Sequence, residues 1–194
     1  MSKGKVIFLN GVSSSGKTTI ARALQTRLPE PYCWLSVDSF IDTIGKRFME
    51  DAEFIKAGGY KWIFKAMDAF QKSIKVFSDA GLNVIADHVL QDQPMWKENG
   101  GLDDCLEILR DNDVLFVHVT CPVEELRRRE TERGDRQIGQ GEAQLAMLNP
   151  KDKIYDLTID TYSNSIEECV DAIIALLEQP EKFTAFRTLL ARRT

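Results

Sequence analysis

Short apolar runs alternate along this chain with longer stretches whose composition is typical of helices. Most of the runs are continuously apolar, as is typical of strands that helices cover on both faces. This alternation of strands and helices predicts an α/β fold with a parallel sheet between two layers of helices. The predicted strands cover residues 5–10, 33–37, 82–87, 114–120 and 155–160.

The segments between the runs supply the predicted helices and loops. Gly81 follows a helix that ends in Asp79-Ala80, and a glycine there is typical of a helix C-cap that leads into a strand. We predict loops over residues 91–101 and 134–153. The predicted helices are Lys17–Leu28, Ser39–Glu50, Lys61–Ala80, Leu102–Arg110, Val123–Arg133, Ser165–Glu178 and a short last helix over Glu181–Arg193.

Size and charge narrow the class of protein. The 194 residues predict one domain, and 43% hydrophobic residues are enough for an ordinary core without metals or disulfides. The net charge of −5 argues against a general binder of nucleic acid or anionic membranes. The four cysteines are widely scattered, which indicates small reduced core residues and not a zinc site. No apolar run reaches the roughly 18 residues that a membrane helix needs, so we expect a cytoplasmic protein.

The segment after the first predicted strand carries the strongest motif in the chain. Residues 11–18, GVSSSGKT, fit the Walker A pattern of glycine, four residues, glycine, lysine and a hydroxyl residue. We expect Gly11 and Gly16 to adopt backbone dihedrals that other residues avoid, so that N–H groups point inward as an anion nest. Lys17, which we expect to face solvent without ligand, would then reach the β- and γ-phosphates, and Thr18 would ligate Mg²⁺.

This motif predicts binding of a nucleoside triphosphate but no particular function, because GTPases, motors and kinases share it. No NKxD motif is present, which disfavours a GTPase. We assign binding of the nucleoside triphosphate to the loop, to the residue that follows it and to one later arginine. These residues are Gly11, Ser13, Ser14, Ser15, Gly16, Lys17, Thr18, Thr19 and Arg129.

Acidic residues follow two other predicted strands. Ligands of open α/β sheets bind beyond the carboxyl ends of strands, so Asp38, after residues 33–37, should face the γ-phosphate. There Asp38 could accept the proton of a substrate hydroxyl to which a phosphoryl group is transferred. It could also hold Mg²⁺ through water, or only cap a helix that begins at Ser39. Asp87 ends the third strand and is the best candidate for the metal's water shell or for a substrate hydroxyl. His88, next to it, is a weaker candidate for substrate binding.

Five arginines lie within ten residues, from Arg127 to Arg136. Arg129, Arg133 and Arg136 share one predicted helix face. A solvated face paired with glutamates such as Glu130 is one interpretation. The other is a mobile lid around residues 123–150, whose guanidinium groups stabilise the transferring phosphoryl group. We favour the lid and assign catalytic roles to Arg133 and Arg136, beside Lys17 and Asp38.

Four segments together resemble one family. They read GVSSSGKT (11–18), VDSF (37–40), RETERGDR (129–136) and YDLTIDT (155–161). In these segments the chain is similar to the chloramphenicol 3-O-phosphotransferase family of small P-loop kinases. The resemblance implies a three-layer P-loop kinase fold whose five-stranded parallel sheet has the order 2-3-1-4-5. It also supports Asp38 as the catalytic base.

The activity that the resemblance implies is Mg²⁺- and ATP-dependent phosphoryl transfer to a hydroxyl of a small molecule, with chloramphenicol as the named acceptor. The chain departs from the family pattern at His88 and at residues 149–153, both on the expected acceptor side. The acceptor could therefore be another alcohol, such as a sugar, a nucleoside or a peptidoglycan precursor. A nucleotide-binding regulatory module is the alternative from a different class.

Overall fold

The computed structural model describes residues 2–90, 101–134, 137–148 and 154–193 and contains a five-stranded sheet. The strands are β1 (Val6–Asn10), β2 (Tyr32–Ser36), β3 (Asn83–His88), β4 (Val114–Thr120) and β5 (Leu157–Asp160). Their order in the sheet is β2-β3-β1-β4-β5, and all four neighbouring pairs are parallel. The predicted fold class and strand order are both confirmed.

Helices pack on both faces of the sheet. The chain forms α1 (Lys17–Arg27), α2 (Val37–Asp42), α3 (Lys46–Met49), α4 (Ala52–Phe54), α5 (Lys61–Asp79), α6 (Leu102–Ile108), α7 (Val123–Arg133), α8 (Gln140–Met147), α9 (Ile166–Leu177) and α10 (Ala185–Ala191). A π-helical turn covers Ile55–Gly59, and a 3₁₀ turn covers Pro180–Lys182. None of the described helices is long and apolar enough to span a membrane.

β1 lies at the centre of the sheet, and its side chains alternate between two cores. Val6 and Phe8 belong to the core that α5, α6 and α10 complete, and Ile7 and Leu9 belong to the core that α1 and α9 complete. All four side chains are fully buried. This double coverage explains why the strand reads as a continuous apolar run.

The helix predicted over Ser39–Glu50 is wrong in its bounds. The chain already becomes helical at Val37, and α2 ends at Asp42. Gly45 then takes a φ of 92°, a left-handed conformation that breaks the helix before α3 begins. Asp38 therefore lies inside the first turn of α2, and Ser36 occupies the N-cap position. The interpretation of Asp38 as an N-cap is thereby excluded.

The loop predicted over residues 134–153 is also wrong in part, because α8 occupies Gln140–Met147. Gly134 ends α7 in the left-handed conformation, with a φ of 66°. Gly139, at φ 88°, precedes α8. Two glycines thus turn the chain so that α8 packs beside α7. Residues 149–153, where the sequence departs from the family pattern, lie outside the described residues.

Parallel strands bring their carboxyl ends to one edge of the sheet, and the residues after β1, β2 and β3 meet there. Register pairs Asn10 of β1 with His88 of β3, and Ser36 of β2 with Asp87 of β3. The Walker loop therefore starts beside the acid of β3 and close to the start of α2, which places the site predicted from the sequence at one location.

Candidate active site

The Walker loop has the backbone of an anion nest. Gly16 is left-handed at φ 99°, as predicted, and Ser14 is left-handed at φ 63°. A non-glycine residue with positive φ is uncommon, and such residues cluster at active sites and ligand clamps. The prediction for Gly11 is wrong in its reason, because Gly11 does not take a positive φ. Glycine is needed there for space: a Cβ would lie 2.3 Å from the carbonyl oxygen of Val119.

Thr161 and Arg129 brace the loop from outside. The Thr161 hydroxyl donates to the carbonyl oxygen of Ser15 at 2.7 Å. The Arg129 guanidinium donates to Ser14 O at 3.3 Å and to Thr161 O at 2.9 Å. Two carbonyl groups of the loop are therefore held by residues outside it, which fixes the course of the loop backbone. Sequence reasoning did not single out Thr161, and its only signal is its place at the end of YDLTIDT.

Arg129 is itself held in place by an acid. Its Nε donates to Glu125 Oε1 at 2.8 Å. Hydrogen bonds from Arg128 and then Arg129 lower the pKa of Glu125 to about 2, so this carboxylate is charged at neutral pH. Arg129 therefore contacts the outer side of the Walker loop, and its predicted part in ATP binding stays a prediction.

Lys17 does not face solvent, contrary to expectation. Its side chain is 9% exposed, and its ammonium donates to Val12 O at 2.9 Å. The same ammonium lies 3.7 Å from Asp87 Oδ1. An ammonium loses most of its hydration when buried, so the chain supplies compensating oxygens around it. Lys17 thus already stands inside the site, beside the acid of β3.

Asp87 and Thr18 form the pair that suits a magnesium ion. The Thr18 hydroxyl donates to Asp87 Oδ2 at 3.0 Å. Burial raises the pKa of Asp87 and the charge of Asp38 adds to the rise, whereas Lys17 and the Thr18 hydrogen bond oppose it. Mg²⁺ prefers hydroxyl and carboxylate oxygens and usually binds few protein ligands besides phosphate and water. Within the described residues, the chemistry of this pair fits the ion.

Seven of the predicted residues line one polar cavity of about 50 Å³. Asp38 lies at its edge, exposed to solvent at the start of α2. Arg133 reaches it from the last turn of α7. Arg136 lies outside the described residues. The predicted residues that line the cavity are Ser13, Ser14, Lys17, Thr18, Asp38, Asp87 and Arg133.

The other predicted residues do not line the cavity. Gly11, Ser15 and Gly16 shape the loop backbone, and Thr19 is exposed in the first turn of α1. His88 is fully buried, its ring 5.1 Å from that of Phe70.

The burial of His88 counts against its predicted substrate contact. Burial, with the charge of Lys17 adding to it, lowers its pKa to about 3, so the ring is neutral at neutral pH. Its Nδ1 accepts from the backbone N–H of Val89 at 2.8 Å. The structure places His88 in the packing beneath the site, and not among the residues that line the cavity.

One interpretation of the sequence made Glu130 an exposed partner of an arginine, and the structure does not support it. Glu130 is fully buried, and its two carboxylate oxygens accept from the backbone N–H groups of Gly139 and Gly141, each at 2.7 Å. It thus satisfies N–H groups that the start of α8 leaves without helical partners. The sequence pattern did not reveal this contact, because the acid lies on α7 and its partners follow a turn.

Glu130→Ala should lower the free energy of unfolding by about 2 kcal/mol, because it leaves buried N–H groups unpaired. For a chain of this size, the melting temperature should fall by about 4–8 °C. Thermal unfolding measures this, with Glu124→Ala on the exposed side of α7 as the control. Equal melting temperatures for the two variants would contradict the assigned role of Glu130.

A larger and mostly apolar cavity of about 510 Å³ lies beyond the far end of α2. Phe48 and Trp62 remain partly exposed at its walls, at 38% and 46%. Lys65 Nζ lies 4.8 Å from the centre of the Trp62 ring. The residues lining the cavity are Thr43, Ile44, Phe48, Phe54, Trp62, Lys65 and Ala66.

The fold and the site together define a P-loop phosphotransferase of the small-kinase type. The chain belongs to the chloramphenicol phosphotransferase-like family, whose model matches residues 4–178. It is 32% identical, over 188 residues, to the Mycobacterium tuberculosis protein named "Putative O-phosphotransferase", covering 87% of this chain and 80% of that protein. It is also 27% identical to the adenylyl-sulfate kinase of Clostridium acetobutylicum, covering 91% and 84%.

Solved structures show the same fold at lower identity. The Mycobacterium tuberculosis APS kinase CysC, in complex with AMPPNP and APS, superposes with a TM-score of 0.66 at 17% identity, over 92% of this chain and 100% of that one. The Acinetobacter baumannii shikimate kinase, in complex with shikimate, gives a TM-score of 0.59 at 18% identity, over 90% and 98%. At these identities the likeness concerns the fold alone.

Arg133→Ala should lower kcat by about 10²-fold while weakening ATP binding much less, because the charge that the guanidinium meets grows in the transition state. Steady-state kinetics and direct measurement of nucleotide binding separate the two quantities. Arg110→Ala is the control, since Arg110 is exposed after the end of α6 and pairs with Glu107. Equal losses in kcat and in binding would instead indicate ground-state binding by Arg133.

Proposed function

We propose that this protein transfers the γ-phosphoryl group of Mg·ATP to a hydroxyl of a small molecule. One observation carries the proposal: Lys17, Thr18, Asp87, Asp38 and Arg133 line a single polar cavity at the mouth of an anion nest. A pure nucleotide binder needs the nest and the lysine. An exposed acid and an arginine that line the same cavity are what phosphoryl transfer adds.

Each residue has a role that follows from its position. Lys17 and N–H groups of the Walker loop hold the phosphate chain, and Arg133 meets the charge of the moving phosphoryl group. Thr18 and Asp87 would hold Mg²⁺, which neutralises charge on the β- and γ-phosphate oxygens when bound. Asp38, exposed at the edge of the cavity, orients the hydroxyl of an incoming alcohol and accepts its proton.

The apolar cavity is the best candidate for the acceptor site. Its volume lies within the range of small-molecule sites, and its wall of aromatic rings with few polar groups is typical of them. α2 connects the two cavities, because Asp38 stands at its start and Thr43 follows its end. Those residues are separated by about 8 Å of helix, so a bound molecule of ordinary size can present a hydroxyl to Asp38.

Chloramphenicol is the first acceptor to test, because the family carries its name and the molecule joins an aromatic body to a primary hydroxyl. Adenylyl sulfate is the second, since an adenylyl-sulfate kinase is among the relatives. Sugars, nucleosides and peptidoglycan precursors complete the panel. Aromatic acceptors fit the cavity formed by Phe48, Phe54 and Trp62 better than a sugar does.

The experiment incubates the purified protein with Mg²⁺, radiolabelled ATP and each acceptor, and identifies the phosphorylated product by mass. We expect ATP turnover that rises sharply with one acceptor, and a product heavier by one phosphoryl group. Nucleotide binding without acceptor-stimulated turnover across the panel would contradict the transferase and favour a regulatory module. Product from another alcohol, but none from millimolar chloramphenicol, would retain the kinase and exclude the family's named acceptor.

A further inference from the structure

The nucleotide site contains one contact made by a side chain that has no proposed role in phosphoryl transfer. The side-chain oxygen of Gln144, on α8, accepts a hydrogen bond of 2.6 Å from the backbone N–H of Ser13 in the Walker loop. The backbone N–H can only donate, so the carboxamide must present its oxygen to it. A neutral oxygen thus occupies one backbone N–H of the Walker loop. In P-loop proteins, N–H groups of this loop bind phosphate oxygens.

The contact is built into the packing of α8. Gly141, one turn before Gln144, lies so close to the loop that a Cβ would be 2.8 Å from Ser13 O. The buried carboxylate of Glu130 fixes the start of the same helix through Gly139 and Gly141. Gln144 therefore points at Ser13 from a helix that is held at its start.

The contact lies inside the nucleotide cavity. Gln144 lines this cavity together with Ser13, Lys17, Asp38 and Arg133. A phosphate oxygen that is to bond the Ser13 N–H must therefore displace the Gln144 oxygen, which already accepts from that N–H.

We propose that Gln144 sets the affinity of the site for nucleoside triphosphates, because its carboxamide oxygen competes with a terminal phosphate oxygen for the Ser13 N–H. The inference rests on the proposed binding of ATP at the Walker loop. Ser13 lines the cavity together with Asp38 and Arg133, where the transferred group is expected. Competition should therefore affect a triphosphate more than a diphosphate.

Two substitutions at this position should act in opposite directions. Gln144→Met keeps the length of the side chain and removes the acceptor, so a non-hydrolysable ATP analogue should bind about 3–10-fold more tightly. Gln144→Glu supplies a charged acceptor that bonds the N–H more strongly and repels phosphate, so the analogue should bind at least about 10-fold more weakly. ADP affinity should change less than about 2-fold in the methionine variant.

Calorimetric titration of the full chain with the analogue and with ADP tests this, and unfolding without nucleotide verifies that each variant is folded. Gln140→Glu is the matched control, because it places the same charge one turn earlier on α8, in the same cavity. It should weaken binding of the analogue less than Gln144→Glu does.

Three results would overturn the inference: no tighter binding by Gln144→Met, equal gains for the analogue and ADP, or equal losses in the two glutamate variants. Failure of the wild-type protein to bind either nucleotide would instead contradict the proposed function.

Discussion

Lys17→Met is expected to reduce phosphoryl transfer by at least about 10²-fold, because it removes the cation that meets the β- and γ-phosphates. The methionine stem fills the buried space of the lysine, so the variant should fold. Asp87 then loses the cation 3.7 Å away, and burial, which already raises its pKa, favours its neutral form. Turnover, nucleotide titration and thermal unfolding are the measurements.

Lys72→Met is the control for this variant, since Lys72 is exposed on α5 and pairs with Asp68. It should leave transfer and binding unchanged. Unaltered turnover in Lys17→Met, with intact folding of both variants, would show that the Walker loop does not hold the reacting phosphates.

Asp38→Asn should lower kcat by about 10²–10⁴-fold while ATP binding is kept, because the amide preserves shape but cannot accept a proton. Asp42→Asn, on the last residue of the same helix, is the control and should retain normal turnover. Both residues are exposed, so neither change should affect the fold.

The two remaining interpretations of Asp38 differ in their response to magnesium. A base that is lost cannot be replaced by more metal, so kcat of Asp38→Asn should stay low at every Mg²⁺ concentration. Recovery of turnover at high Mg²⁺ would assign Asp38 to the water shell of the ion. Near-normal turnover at ordinary Mg²⁺ would require another base, and Asp87 also lines the cavity.

The Walker loop shows how far local sequence reasoning reached. The motif predicted the nest, the lysine and the hydroxyl, and the left-handed Gly16 follows from it. The second left-handed residue is Ser14. Glycine is required at position 11 because a Cβ there would lie too close to the carbonyl oxygen of Val119. A pattern of residue types reports that small residues are required, but not whether a dihedral angle or a neighbouring strand requires them.

Charged residues were less predictable than apolar ones. Glu130 looked like one of several surface acids of an amphipathic helix, yet it is buried against the start of α8. Lys17 was expected in solvent, yet it is enclosed by Val12 O and Asp87. Burial of a charge depends on partners from distant segments, and spacing along the chain carries no information about them.

The sequence by itself determined the class of the molecule. Apolar runs with helical stretches between them predicted a parallel sheet covered on both faces, and the resemblance over four segments supplied the strand order and the family. GVSSSGKT fixed the nucleotide loop, and the ends of two strands indicated Asp38 and Asp87. These features are local, or follow from the common edge at which parallel strands end.

Only the tertiary structure decided which side chains meet. It placed Thr161 and Arg129 behind the loop, His88 in the core beneath it, and Gln144 on the N–H of Ser13. More than one hundred residues separate Gln144 from Ser13, and their contact exists because two glycines turn the chain and Glu130 fixes the helix that follows. Such contacts depend on packing between elements, which the order of residues within each element does not specify.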